Sequence, residues 1–468
     1  MPIDESAQKH LEGNLRRFII FRLFYSARFY YPVLTVLFLD YGLTLEQFGI
    51  LNLAWALTIV CAEVPSGALA DIVGRKRLIV LASVLMVVEM LLLVLVPMGA
   101  SSLLFSVFLA NRICSGLSEA AASGADEALA YDSLKALGRE ADWAQLLETT
   151  TRVVAIGFFT TMILGAFAYD SALVNGALRY LSSEWQFSEE LIIRLPIILT
   201  LLTSLIVLAT SLSFYDIDKA VLAQAKREAH EAGESLSAVR ESFTQILKAG
   251  RWIFRHQFVF FVILAALALD SVARQFVVLA SEYYRSIDIP ISWFGFIGAG
   301  MALIGILNAR LARLMVSHLS PFKNFLCLSG LLVVSLSGVM LAIPLYGVVF
   351  AVGAFAVLGM VQFQASYYIN GAVDSKLRAT VLSFKGLALN LGLGVASLLY
   401  TGLVGALKRG NTAATLPEEQ LQDFAFVEAL KAFPVYYLVL FAGIVLIAIV
   451  FYPRREMFFH KPPRPVDA

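Results

Sequence analysis

Apolar runs of about twenty residues, broken by short charged turns, set the limits on what this chain can fold into. Twelve such runs can be read, near 18–39, 48–70, 78–98, 102–124, 150–169, 190–214, 257–280, 292–314, 322–343, 345–369, 380–407 and 433–452. A helix of roughly 20 residues rising about 1.5 Å each matches the hydrocarbon core of a bilayer. Backbone in lipid has to satisfy its own N–H and C=O groups, so apolar runs of this length read as helices. The composition agrees: 59% of residues are hydrophobic and 15% charged, with a mean hydropathy of +0.77, whereas soluble domains carry about 25% charged residues. The expectation is an all-α membrane protein with twelve transmembrane helices.

The longest polar stretch, 215–256, follows the sixth run and places Lys219, Lys226, Arg227, Glu228, Glu231, Glu234, Arg240 and Glu241 at helical spacings. It reads as a cytoplasmic linker containing an amphipathic helix. The chain then divides into a six-helix bundle over 1–214, the linker over 215–256, and a second six-helix bundle with a cytoplasmic tail over 257–468. Lys and Arg counts orient these bundles. If both termini are cytoplasmic, inward segments hold 24 Lys and Arg and outward segments hold 5. The bias recurs loop by loop, which predicts N-in and C-in. Residues 1–17 are polar and contain no apolar signal-peptide core, so the first run serves as the insertion signal. The expected location is the inner or plasma membrane, with the lipid bilayer as one partner. The layout suggests neither nucleic-acid binding nor an oligomer, and a monomer is expected.

Between the second and third runs stands Gly67-Ala-Leu-Ala-Asp-Ile-Val-Gly-Arg-Lys-Arg77. Gly67 and Gly74 suit a close helix reversal. The string resembles the loop between helices 2 and 3 of the major facilitator superfamily, G-x-L-A-D-x-x-G-R-[RK], through Gly67, Leu69, Ala70, Asp71, Gly74, Arg75 and Lys76. Glu63-Val-Pro-Ser-Gly67 and Ser123-Gly-Ala-Asp-Glu-Ala-Leu-Ala-Tyr-Asp132 resemble strings paired in a prokaryotic subgroup of that superfamily. The resemblance implies two bundles that rock about a central site. It also implies an inner-side latch: Asp126 or Asp132 takes Arg75, and Asp71 caps the start of helix 11 near Arg378. Two departures from the pattern stand out. The second-half copy, Gly305 to Arg313, lacks the aspartate, and the fifth run has Gly157 and Gly165 but no proline of the kind many exporters carry.

Charges remain at membrane depth: Arg22, Arg28, Arg112, Arg152, Arg194, Arg274 and Lys385, and the acids Glu63, Glu89, Glu119 and Asp270. Each costs about 2.5–3.5 kcal/mol near a helix centre on the insertion scale, so together they have to face one another or a watery interior. Arg112, followed by Gly116, resembles the Arg-x-x-x-Gly element of superfamily helix 4, whose arginine is associated with proton transfer and an acidic partner. Glu119 lies on the same face. Proton-coupling candidates are therefore Glu63, Glu89, Arg112, Glu119 and Asp270. Arg28, among Tyr25, Tyr30 and Tyr31, can bind an anionic or amphipathic solute or pair with Glu63 or Glu89. Asp270 and Arg274 are spaced to pair on one helix face. The cavity candidates are Arg28, Tyr31, Arg274, Gln362 and Asn390, with Gln275, Gln364 and Tyr367 as further polar lining.

No phosphate-binding glycine loop ending in Lys-Ser/Thr is present, which argues against an ATP-driven pump. The five histidines form no metal-spaced cluster, and Cys61, Cys114 and Cys327 read as packing residues. No enzyme, cofactor or metal is expected. The leading functional expectation is a secondary transporter that moves a small organic solute by alternating access, with proton-coupled efflux. The alternatives are a proton symporter importing an organic anion or siderophore-like nutrient, and a non-transporting receptor or scaffold.

Overall fold

The computed structural model describes residues 5–181, 186–216, 244, 247–373, 375–410 and 416–451; the side chains of a few residues within helices, Asp71 and Lys376 among them, also lie outside the description. Among the described residues the protein is helical and contains no strand. The first half consists of α1 (Glu5–Ser26), α2 (Leu34–Asp40), α3 (Leu45–Val73), α4 (Arg75–Leu95), α5 (Ser102–Ala122), α6 (Ala125–Ala136), α7 (Trp143–Tyr169), α8 (Ser171–Leu181) and α9 (Glu189–Ser213). The second consists of α10 (Gln257–Val278), α11 (Ala280–Ser286), α12 (Ile291–His318), α13 (Pro321–Val339), α14 (Val348–Ala372), α15 (Ser375–Lys408) and α16 (Glu418–Phe451). A helical stretch over 247–255 precedes α10. Most of the expected linker helix falls outside the described residues.

Ten described helical segments are long and apolar enough to cross a membrane. The two expected spans that fall short are the first, built from α1 and α2, and the fourth, α5. Both carry the polar side chains that face the interior cavity described below, which lowers their hydropathy. One of these expected helices is broken inside its span: the first opens over 27–33, around Arg28 and Pro32, before α2 resumes. The fourth ends at Ala122, near its expected end, and Gly124, whose φ of +74° lies in the left-handed region, turns the chain into α6. The seventh ends at Val278, near its expected end, and Leu279 leads into α11. Large apolar side chains such as Leu95, Leu202, Leu303 and Val439 stand exposed along the helices, a surface suited to lipid rather than water.

Within the first half α4 packs on α5 and α9, and α1 packs on α6, α7 and α9; within the second, α10 packs on α14, α15 and α16. The halves meet along two seams, α3 with α15 and α7 with α12. Small residues let the backbones close in. A Cβ at Gly49 would stand 2.0 Å from Thr401 Oγ1, and one at Gly295 would stand 2.4 Å from the Met162 carbonyl oxygen.

The two ends of the molecule differ. One apolar cluster runs the length of the second half, from Ile253 and Val373 to Phe276, Tyr283 and Phe294, and at the end opposite the α3–α4 turn it continues into the first half through Tyr30, Val36 and Tyr41. At the end carrying that turn, a separate cluster of Phe18, Phe21, Leu78, Ile79 and Leu129 belongs to the first half alone.

Candidate functional site

The break in the first span exists because its free backbone groups find partners on α9. Thr200 Oγ1 accepts the Phe29 N–H at 3.0 Å, and Thr203 Oγ1 donates to the Ala27 carbonyl at 3.2 Å. Unpartnered groups here would cost several kcal/mol, so these threonines make the break tolerable. The break aims Arg28 inward, where it pairs with Glu89 of α4. Their side chains are 4% and 0% exposed. The Arg28 guanidinium also lies 3.4 Å from Tyr30 OH and 5.5 Å above the Tyr25 ring. Asn111 Nδ2 donates to the Glu89 backbone carbonyl at 2.8 Å, fixing α5 to α4 beside the pair.

A cavity of about 620 Å³ lies between α1, α5, α6 and α7. It runs from Arg22 and Glu127, near the end carrying the α3–α4 turn, to Arg28, Tyr31 and Phe158 at depth. Its volume falls in the range of small-molecule sites, about 300–1,000 Å³. Arg22 is held by Asp126 at 3.1 Å and by Glu127 at 3.5 Å. Burial lifts the Asp126 carboxyl above the usual carboxylate range, against the pull of Arg22. Tyr25 OH and Ser118 Oγ lie 3.0 Å apart, and Ser118 donates to the Ala82 carbonyl. Glu119 also lines the cavity and has no ion pair among the described residues. Glu63, on α3, is close enough to feel the charge of Glu119, and its Oε2 is buried without a hydrogen-bond partner. The structure thus brings Arg28, Tyr31 and Glu119 to one cavity wall, with Glu89 and Glu63 behind it. Arg112 does not join them. Its guanidinium bonds to Asn111 at 3.3 Å and stacks 5.0 Å from the Phe38 ring, and among the described residues it has no acidic partner of the kind the resemblance implies.

At the signature turn, Gly74 adopts a φ of +101°, a value that favours glycine, and joins α3 directly to α4. Arg75 pairs with Asp132 and donates to the Ala128 carbonyl at 3.1 Å, tying α4 to α6. Of the two carboxylates expected to take Arg75, Asp132 does so and Asp126 turns to Arg22. A Cβ at Gly67 would meet nothing within 4 Å, so no close approach requires glycine there; α3 continues to Val73 and the reversal is made at Gly74. Lys76 is partly exposed. The expected Asp71 contact falls on a side chain outside the described residues. Arg378 is exposed and, among the described residues, donates to the nearby Val373 carbonyl at 3.4 Å.

In the second half Asp270 is fully buried; it bonds Arg274 at 2.7 Å and accepts from Gln362. Arg274 also donates to Asn390 Oδ1 at 3.2 Å. The four form one network across α10, α14 and α15. Lys385 donates to Ser366 Oγ at 2.9 Å nearby. Gln275 and Gln364 lie elsewhere, against Ser397 and Met315.

Sequence reasoning missed the polar seal at the opposite end. Thr35 donates to the Val278 carbonyl at 2.5 Å, and Ser281 Oγ accepts the Thr35 N–H at 3.0 Å and the Val36 N–H at 3.3 Å. Arg285 holds Asp40 at 2.7 Å and Glu282 at 2.7 Å, while Tyr169 OH donates to Asp40 at 2.7 Å. Lys408 holds Glu46 at 2.8 Å across the α3–α15 seam. The signal was present: Asp40 and Glu46 flank the turn after the first span, and Arg285 and Lys408 end spans of the second half. Counting charges by side hid this cross-half complementarity.

A family model described as Major Facilitator Superfamily matches residues 18–397. No curated protein matches the chain in sequence. Among solved structures, the nucleoside transporter NupG superposes with a TM-score of 0.68 at 13% identity, covering 94% of this chain and 98% of that one. A bacterial homolog of the human lysosomal transporter Spinster, inward-facing and unoccupied, gives 0.64 at 14% identity, covering 99% and 100%. A D-xylose–proton symporter gives 0.63 at 12% identity, covering 98% and 99%. At these identities the likeness is one of fold.

Proposed function

Because the chain belongs to the major facilitator superfamily, a family of multi-pass membrane transporters, we propose that it exports a small organic solute by alternating access, in exchange for protons. The observation that carries this reading is the asymmetry of the two ends. The halves are sealed through Thr35, Ser281, Asp40 and Arg285 at one end. The cavity that holds Glu119 reaches toward the other end, where Arg22 and Glu127 are partly exposed. With N-in and C-in topology, the seal is the outer gate and the cavity receives solute from the inner side. In the alternate state the outer gate parts and the inner ends close, with the Arg75–Asp132 tie keeping α4 and α6 together as one lever. Asp71, Gly74, Lys76 and Arg378 are assigned to that inner closure.

Protonation shifts such an equilibrium only if it favours one state over the other. Glu119 and Glu63 suit that role: neither has an ion pair among the described residues, so a proton and a solute can compete for the same charge. Asp270, held by Arg274 and Gln362, is the matching candidate in the second half.

Full-length protein in liposomes loaded with a pH-sensitive dye tests the coupling. Exchange predicts that solute entering the lumen is accompanied by lumen alkalinisation. Lumen acidification would instead mean symport, the uptake alternative. Solute flux without proton movement would refute coupling, and no flux across a broad panel would favour a receptor or scaffold.

A further inference from the structure

Charge accounting around the first-half cavity runs against an anionic solute. Two arginines line it, and both are already neutralised. Arg28 is locked to Glu89 with 4% of its side chain exposed. Arg22 is shared between Asp126 and Glu127. An incoming carboxylate or phosphate would have to displace a buried protein carboxylate from Arg28, leaving Glu89 at 0% exposure without its partner. The charges at and directly behind the wall are thus Arg22 and Arg28 against Glu89, Glu119, Asp126 and Glu127. Glu119 is the one among these without an ion pair in the described structure; Arg28 and Arg22 act on it only at longer range, and Glu63 adds a further carboxylate behind it.

The rest of the lining combines aromatic and apolar side chains with the hydroxyls of Ser26, Thr150 and Thr151. Tyr31 is 42% exposed and lines the cavity with Phe158. The Tyr25 face is covered by Arg28, at 5.5 Å; Tyr31, which meets Tyr30 edge to face at 5.3 Å, and Phe158 offer the remaining ring surface for a new cation. A lone carboxylate beside an open aromatic face, in a cavity of about 620 Å³, is the combination that retains an organic cation with an apolar body.

We infer that the cavity between α1, α5, α6 and α7 binds a monovalent organic cation with an aromatic or bulky apolar group, with Glu119 as its counter-ion and Tyr31 as its ring contact. This deepens the transport reading, rests on it for the word substrate, and assigns Arg28 a structural place rather than an anion-binding one.

The test is equilibrium binding of labelled tetraphenylphosphonium to the full-length protein in detergent, with empty micelles subtracted. Phenyltrimethylammonium and benzenesulfonate, of similar size and opposite charge, serve as competitors. Saturable binding is expected, displaced by phenyltrimethylammonium and not by benzenesulfonate. Glu119→Gln should weaken binding by about tenfold or more, the scale of losing one desolvated charge contact. Glu119→Asp, which keeps the charge, should stay within about threefold of the wild type, a difference below 1 kcal/mol. The inference is overturned by an absence of saturable binding, by equal displacement with benzenesulfonate, or by Glu119→Gln binding as well as the wild type. If Glu119→Gln does not fold, the competitors and Glu119→Asp still decide. Cation binding without flux in liposomes would refute the transport reading while leaving this site intact.

Discussion

Glu89→Gln is the most direct probe of the buried pair that shapes the cavity. Glutamine keeps the shape of the side chain and removes its charge, leaving the Arg28 guanidinium enclosed at 4% exposure without its ion-pair partner. Breaking one partner of a buried ion pair costs about 3–5 kcal/mol. Tyr30 OH at 3.4 Å and the Tyr25 ring at 5.5 Å still face the guanidinium, which places the loss at the lower end, about 3 kcal/mol. If the first half unfolds as a unit of roughly 200 residues, with an unfolding entropy of about 2.1 cal/mol/K per residue, the melting temperature falls by about 7 °C. The assay is thermal unfolding of the purified full-length protein followed by intrinsic fluorescence. The double variant Arg28→Met with Glu89→Met removes both charges and should recover most of the loss, because two apolar side chains need no compensation. A Glu89→Gln protein melting within about 1 °C of the wild type, under 0.5 kcal/mol on this scale, would refute the argument. So would a double variant no more stable than the single one.

Three further outcomes follow from the contacts. Asp40→Asn removes the charge that holds Arg285 and one of the two carboxylate oxygens that accept from Arg285 and Tyr169; the pair is partly exposed, so the seal loses about 1 kcal/mol. A cysteine placed at Val278 should then react several-fold faster with a membrane-impermeant maleimide, and an unchanged rate would remove this pair from the gate. Gly295→Val drives side-chain atoms against the Met162 carbonyl, where even a Cβ would stand at 2.4 Å. It should destabilise the α7–α12 seam by about 1–3 kcal/mol in the same thermal assay, whereas Gly300→Ala, on the same helix with nothing within 4 Å, should be neutral or slightly stabilising. Arg75→Gln and Asp132→Asn each cut the tie between α4 and α6. Both should slow transport to a similar extent, and the double variant should be no slower than either single one; additive losses would mean that the two residues act separately.

The amino-acid sequence alone determined that this is a helical membrane protein, because twelve apolar runs and sparse charge leave the backbone little else to form. It also carried the family, since the Gly67–Arg77 turn and the strings around it are local and contiguous. Local spacing predicted the Asp270–Arg274 pair, four residues apart on one helix. Which acid meets Arg28, and whether Asp126 or Asp132 meets Arg75, could be narrowed to short lists but not resolved. Glu89 lies 61 positions from Arg28, and Asp132 lies 57 positions from Arg75; whether each pair meets depends on how α1, α4 and α6 are rotated about their axes, which a one-dimensional pattern does not encode. The tertiary structure decided three things: that Arg28 is spent on Glu89, that Arg112 turns to Phe38 rather than to an acid, and that Glu119 is left facing the cavity. It also revealed the Asp40–Arg285 and Glu46–Lys408 pairs between the halves. The physical reason is that a charge in a membrane protein takes its meaning from what neutralises it, and neutralisation is a property of packing, not of sequence order.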